Sequence, residues 1–288
     1  PPPGPTAASG YTMEALGPDY LSEGLYYRAS GEDPWKSEIP QTFTTLYVKT
    51  AGDNTVMTAE QMKAVADAVK ALATPATVDF SEVVYESETF PNSFKSNANL
   101  AGIVFPQNVT KTASAAFQKT GMTSVTLLKG ISYGSNAFDS CASLVSVTVE
   151  EGVTEIGNYM FQNTKLTDVT LPNSVTKIGA SAFNGCSLTT INFGQGVKTI
   201  ENSAFQNCGE LTEIILPDAT ETLGQNAFGD CPKLAKISLG KNMKTLEAYC
   251  FVGYSKGCPL LGDIICRATT PPTLKDDYGT GPFGGGWG

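Results

Sequence analysis

FNGCSLTTINFGQGVKTIENSA, residues 183–204, shares its frame with the 22 residues before it, FQNTKLTDVTLPNSVTKIGASA (161–182), and the 23 after it, FQNCGELTEIILPDATETLGQNA (205–227). The common text is AF-x-x-C/T, then L-x-x-I-x-L, then V-x-x-I-G. Its phenylalanine recurs at Phe94, Phe117, Phe138, Phe161, Phe183, Phe205, Phe228 and Phe251, at spacings of 21 to 23 residues. A fixed period of this length marks a stacked-repeat fold, in which a unit too small to bury its own apolar side buries it against the next unit.

Each part of the frame has a physical reading. In L-x-x-I-x-L (Leu166/Val169/Leu171, Leu188/Ile191/Phe193, Leu211/Ile214/Leu216, Leu234/Ile237/Leu239) the last two apolar positions alternate with period two, as a short half-buried strand requires. Equivalent strands of successive coils stack about 4.8 Å apart in a parallel ladder. Pro172 and Pro217, or Gly194 and Gly240, mark the turn that follows. The second apolar pair, Val153/Ile156, Val175/Ile178 or Val197/Ile200, brings the coil back along another side. Phe117, Phe138, Phe161, Phe183, Phe205, Phe228 and Phe251 are the expected buried anchors.

Composition narrows function. The 288 residues are 41% hydrophobic and 16% charged, with 29 glycines and 17 prolines, a balance that favours turn-rich β structure over helical bundles. There is no histidine, which removes Ser-His-Asp and Cys-His catalysis and imidazole metal sites. A net charge of −9, with Arg28 and Arg267 the only arginines, excludes a phosphate-backbone footprint, so nucleic acid is not an expected partner. No stretch approaches the roughly 18 apolar residues of a membrane span, and PPPGPTAASG (1–10) is unlike a signal peptide. A targeting or lipid-attachment segment is therefore expected to lie outside this chain.

With AFxxC, LxxIxLP and VxxIG at a 22 to 23 residue period, residues 80–288 resemble the BspA-type leucine-rich repeats of bacterial surface proteins, and ICRATTPPTL (265–274) is similar to the terminal repeats of that family. The unit Phe117–Ala137 departs from it by lacking the V-x-x-I pair, and Phe251–Pro282 by the insertion VGYSKG. The resemblance implies a β-rich leucine-rich-repeat solenoid of short parallel strands. It also implies a cell-surface or secreted module, associated with adhesion to host matrix proteins and other cells, with no cofactor.

Upstream, TAEQMKAVADAVKALA (58–73) reads as the one convincing helix, with Thr58 and Gln61 as a capping box and Met62, Val65, Val69 and Leu72 as its apolar stripe. Residues 43–90 are expected to form an N-terminal α/β cap and 91–288 the solenoid with an irregular glycine-rich end. Residues 1–42, which include Tyr11, Tyr20, Tyr26, Tyr27 and Trp35, are expected to be an irregular linker.

Cys141, Cys186, Cys208 and Cys231 each stand three residues after the repeat phenylalanine, where Thr120 and Thr164 stand in other coils. Cysteines in one column seldom meet disulfide torsions, so buried free thiols are expected, with Cys258 continuing the column. Paired carboxylates suit glycosidases, but Glu82, Glu86, Glu88, Glu150/Glu151 and Asp276/Asp277 lie in no frame that sets a catalytic separation. Asp53/Asn54 and Asp276/Asp277 lack a calcium-loop pattern, and the terminal GTGPFGGGWG lacks the lysine of a phosphate cradle.

The variable, outward positions of the main strands form the candidate binding face. They are Val145, Ser146 and Thr148; Thr167, Asp168 and Thr170; Thr189, Thr190 and Asn192; Thr212, Glu213 and Ile215; and Ala235, Lys236 and Ser238. Threonine suits an exposed strand whether or not anything binds there. A binding role for this threonine-rich face implies a protein ligand or, in the alternative, a glycan captured for nutrient uptake.

Overall fold

A computed structural model describes residues 24–52, 55–252 and 257–275. The expectations for residues 1–10, Tyr11, Tyr20, Asp53/Asn54, Asp276/Asp277 and the terminal glycine-rich run lie outside them. The chain divides into two compact units, Pro1–Glu88 with Asn99–Val109, and Thr89–Ala98 with Thr110–Gly288.

The first unit is α/β. Its four-stranded sheet has the order Gly24–Arg28, Thr45–Ala51, Ala76–Glu82, Leu100–Val104; the first pair is antiparallel and the others parallel. Helix Ala59–Lys70 connects the two central strands. The Gln61 backbone N–H donates to the Thr58 hydroxyl at 3.3 Å and the Thr58 N–H to Gln61 Oε1 at 2.9 Å, closing the capping box. Met62, Val65, Ala66 and Val69 form its buried stripe. It stops at Lys70, short of 73, ahead of the helix-breaking Pro75.

Two features differ from the expected boundaries. Residues 24–28, placed by the sequence in a linker, are a strand registered on Thr45–Ala51, and Tyr27 and Lys36 exchange backbone hydrogen bonds of 2.7 and 2.8 Å. Aromatic burial supports this strand: Tyr27 and Trp35 are buried, with the Arg28 guanidinium 4.3 Å from the centre of the Trp35 ring. The α/β unit also does not end at residue 90. Leu100–Val104 returns to pair with Ala76–Glu82 after Thr89–Phe90 has paired with Lys111–Thr112 in the other unit.

The second unit is the solenoid. Its main strands are Ser124–Leu127 on Ser146–Val149, Asp168–Thr170 on Thr190–Asn192, and Glu213–Ile215, Lys236–Leu239 and Asp263–Cys266 in succession, all parallel. A second ladder stacks Glu155–Ile156, Lys177–Ile178, Thr199–Ile200, Thr222–Leu223, Thr245–Leu246 and Thr273–Leu274. Ile156, Ile178, Ile200, Leu223 and Leu246 turn inward and are buried.

The AF-x-x-C segment makes the remaining side by an unusual backbone device. Residues two before and two after the phenylalanine have positive φ, as at Ser203 (58°) and Asn207 (61°) around Phe205. Flipping every second peptide turns the N–H groups of Ser203, Phe205 and Asn207 toward the next coil, where they donate to the carbonyls of Gln225, Ala227 and Gly229 at 2.8, 2.8 and 3.0 Å. Asn and Ser tolerate this left-handed region better than most residues. Inside, the Phe rings stack: Phe205 is 5.2 Å from Phe183 at 9° and 5.2 Å from Phe228 at 5°, with Phe193 edge-on at 5.6 Å.

Candidate functional site

Parallel register sets the side chains of the main strands in columns. Asp168 lies beside Thr190 and Thr170 beside Asn192; further along, Glu213, Lys236 and Asp263 form one column, and Ile215, Ser238 and Ile265 another. Val145, Ser146, Thr148, Thr167, Asp168, Thr170, Thr189, Thr190, Asn192, Thr212, Glu213, Ile215 and Ala235 are exposed, whereas Lys236 and Ser238 are half-buried. Ile215 keeps 58% of its surface exposed, a large apolar side chain held out to solvent.

The polar groups on this face largely satisfy one another. The Asp168 carboxylate accepts from Thr190 at 2.6 Å, Thr167 at 2.9 Å and, more weakly, Thr189 at 3.4 Å. These hydroxyls, Thr190 first, hold its pKa below the usual carboxylate value. Lys236 and Glu213 pair at 2.8 Å, and the hydrogen bond from Lys236 to Glu213 raises the lysine pKa. The face thus carries one ion pair, Lys236–Glu213, and the carboxylates of Asp168 and Asp263, a modest net negative charge along these strands.

Two grooves coincide with breaks in the ladders. One, of about 370 Å³, lies where the strand Thr190–Asn192 meets Glu213–Ile215 without joining its sheet. The coil beginning at Phe205 carries one residue more than its predecessor, between Cys208 and Leu211, and this extra residue accompanies the break. Asn192, Gln195, Ile215, Asp218 and Arg267 are among its walls. Arg267 is fixed there, donating to the Leu216 carbonyl at 2.8 Å and the Leu239 carbonyl at 3.1 Å and pairing with Asp218 at 3.2 Å. The other groove, of about 430 Å³, opens on the second ladder between Ser132 and Glu155, beside the short repeat. Its Tyr133 hydroxyl accepts from the Leu128 N–H at 3.1 Å and burial pushes its pKa up to about 12.

The cysteine column is a hydrogen-bonded seam. Cys141, Cys186, Cys208, Cys231 and Cys258 each direct Sγ at the phenylalanine carbonyl one coil back, Phe117, Phe161, Phe183, Phe205 and Phe228, at 3.1 to 3.3 Å. Thr120 and Thr164 instead donate to the phenylalanine carbonyl of their own coil at 2.9 Å, and meet Cys141 and Cys186 at 3.3 and 3.2 Å. Burial pushes the Cys186 thiol up to about 11 and Cys208 well above the ordinary value. All seven cysteines are free; Cys258 is half-buried and Cys266 exposed.

Three of the carboxylates considered for catalysis have structural duties. Glu82 pairs with Lys49 at 3.0 Å, Glu86 caps the helix by accepting from the Ala59 N–H at 2.8 Å, and Glu150 accepts from the Lys129 N–H at 2.9 Å. Among the described residues no three Cys, Asp or Glu side chains converge in a metal-holding group, and no helix is long and apolar enough to cross a membrane.

Six copies of the BspA type leucine-rich repeat region match the chain, over residues 78–133 and 131–257. The chain belongs to this family. Among curated proteins, none matches it. This BspA-type repeat array is similar to a leucine-rich cell-surface protein of Faecalibacterium prausnitzii A2-165 (22% identity, TM-score 0.47, covering 67% of this chain and 60% of the other). It is also similar to a leucine-rich repeat protein of Eubacterium ventriosum (22% identity, TM-score 0.43, covering 72% and 66%). The match with the pneumococcal vaccine antigen PcpA is at 16% identity and TM-score 0.29, covering 81% and 85%. The chain thus spans less than two thirds of the length of the first two.

Sequence reasoning placed the repeat columns but missed the Arg267 groove. Arg267 and Leu216 are 51 residues apart, and only the stacking of coils brings them together. The one-residue lengthening after Cys208 was the available signal.

Proposed function

We propose that this BspA-type repeat array is a non-enzymatic interaction module, acting at the cell surface or after secretion, that binds a protein ligand through the main-strand face. The single observation that carries the reading is Ile215: an apolar side chain left 58% exposed, in register with Ser238 and with Ile265, itself 46% exposed, beside the groove that contains Arg267. Short Thr, Ser and Asn side chains lose little conformational freedom when covered, and Asp168 and Glu213 keep their hydroxyl and lysine partners on the face itself. An exposed Ile beside a charge-fixed groove offers an anchor at the centre of such a contact. The family's surface relatives agree with an extracellular setting.

A glycan ligand is the second reading, supported by the groove's mixture of Asn192, Gln195, Asp218 and Arg267 around an apolar floor of Phe193 and Leu216. Both readings are tested by immobilising the chain and screening fibronectin, fibrinogen, laminin and collagen alongside a glycan array. The triple variant Thr170→Arg, Asn192→Arg, Ile215→Arg should abolish capture of the matrix protein without moving the thermal unfolding midpoint. Glycan capture with silent proteins would replace the protein reading by the second, and unaltered capture by the triple variant would remove the face from either.

A further inference from the structure

The second ladder lacks one rung. In its later coils two N–H groups donate to the coil before: Thr176 and Gly179 to the carbonyls of Thr154 and Ile156 at 2.9 and 2.8 Å, with equivalent pairs repeating down to Thr273 and Lys275. In the coil that starts the ladder the matching donors are Thr154 and Gly157, and among the described residues neither N–H has an acceptor. The preceding repeat is shorter, 21 residues from Phe117 to Phe138 against 23 from Phe138 to Phe161. Its Ser132 turns both backbone groups the other way, the N–H to the Thr110 carbonyl at 2.8 Å and the carbonyl to the Thr112 N–H at 2.9 Å. Glu155–Ile156 is therefore a free strand edge in the middle of the array, and the groove of about 430 Å³ lies along it, with Thr154 and Gly157 in its walls. The groove narrows at its ends, where a Cβ on Gly152 would stand 3.3 Å from the Lys129 side chain and one on Gly157 3.7 Å from the Tyr133 carbonyl oxygen, so it admits only a short segment.

We propose that this groove binds an extended peptide segment of a partner protein, which adds a short strand to the free edge of Glu155–Ile156. Backbone donors left without partners favour an occupant that brings backbone acceptors. The accepting carbonyls of the later coils, such as Thr154 and Ile156, stand two residues apart, and the guest must offer the same spacing to Thr154 and Gly157. The guest residue between those carbonyls falls in the outward column that Glu155 and Lys177 share. Glu155 is 49% exposed in its side chain and holds Lys177 at 3.5 Å, while Glu201 holds the same lysine closer, at 3.0 Å. A Lys or Arg on the guest is the cross-strand complement of that carboxylate. The next guest residue points inward, where Tyr133, its ring centre 5.9 Å from that of Phe138, leaves space for a small side chain only. The site selects a basic residue followed by a small one, and it stands apart from the main-strand face.

The test is a titration of the isotope-labelled full chain with two blocked pentapeptides, Thr-Thr-Lys-Ala-Thr and Thr-Thr-Glu-Ala-Thr, read by NMR at the Thr154 and Gly157 amides and by their hydrogen exchange. Both amides should exchange fast in the free chain, and saturation with the Lys peptide should shift them and slow their exchange roughly tenfold. Affinity in the millimolar range is expected for so short a segment, with the Glu peptide several-fold weaker. Glu155→Lys changes an exposed position whose ion pair adds little stability, and it should reverse the preference. Thr154→Pro removes one donor at a strand edge and should abolish binding of both peptides. If Thr154→Pro fails to fold, the charge reversal at Glu155 decides. Amides already protected in the free chain, shifts confined to the main strands, no shift with either peptide, or a preference indifferent to Glu155→Lys overturns the proposal. So does a saccharide array that yields a ligand shifting these two amides where neither peptide does.

Discussion

Replacing Phe205 by Ala tests the phenylalanine column at its most enclosed point. The ring is fully buried, sandwiched at 5.2 Å by Phe183 and Phe228 and met edge-on by Phe193. Truncation to Ala removes a side-chain volume of about 100 Å³; at about 24 cal/mol per Å³ of unfilled cavity this costs about 2.4 kcal/mol, and lost transfer adds about 2 kcal/mol. Partial collapse of the neighbours lowers the sum and the lost ring pairs raise it, leaving an expected loss of about 3 to 5 kcal/mol. Phe251, whose ring stands farther from its neighbour, 6.5 Å from Phe228, should lose less under the same change. Urea unfolding followed by circular dichroism and by tryptophan fluorescence measures both, with midpoints compared at matched slopes because repeat arrays can lose coils from an end. A loss below about 1 kcal/mol for Phe205→Ala, or a larger loss at Phe251 than at Phe205, would refute the column as the source of cohesion.

Three further outcomes are expected. A Cβ on Gly196 would stand 2.0 Å from the Asn173 carbonyl oxygen, whereas one on Gly209 meets nothing within 4 Å, so Gly196→Ala should destabilise by more than about 2 kcal/mol and Gly209→Ala by less than about 0.5, read from urea midpoints. The Cys186 thiol, raised by burial from 9.0 to about 11, stabilises the fold fully below pH 9 and loses that contribution as the pH climbs toward 11. Stability should therefore fall over that window, and less so in Cys186→Thr; a flat profile would contradict the buried seam. Asp168 should titrate below 3.8 by carbon NMR, and Thr190→Val should move it upward, since the Thr190 hydroxyl is the first cause of the depression.

How much of this was legible in the text of the chain follows from how local each signal is. Ile178 over Ile200 or Phe183 over Phe205 could be read because one coil's neighbour is the next copy of the same words, so register follows from period. The strand Gly24–Arg28 could not: five residues among glycines and acids carry too little alternation, and their partner strand is fixed only by folding. Leu100–Val104 misled for the opposite reason, since its apolar run sits inside the repeat zone yet pairs outside it. The positive φ values at Lys119 and Tyr159 were hidden because neither residue type favours that region; the stacked carbonyls of the next coil enforce it. On the candidate face the columns were foreseeable, while the grooves arise from mismatches between neighbouring coils.

The thiol seam bears on the chain's life before it reaches its place of action. Because each sulfur in the column is already occupied by a carbonyl one coil away, the architecture requires no oxidation step to become stable, and no foldase need sort its cysteines into pairs. The same array can mature in a reducing or an oxidising setting and arrive with an identical interior, leaving Cys266 as the one described thiol on which the redox state of the surroundings could be written.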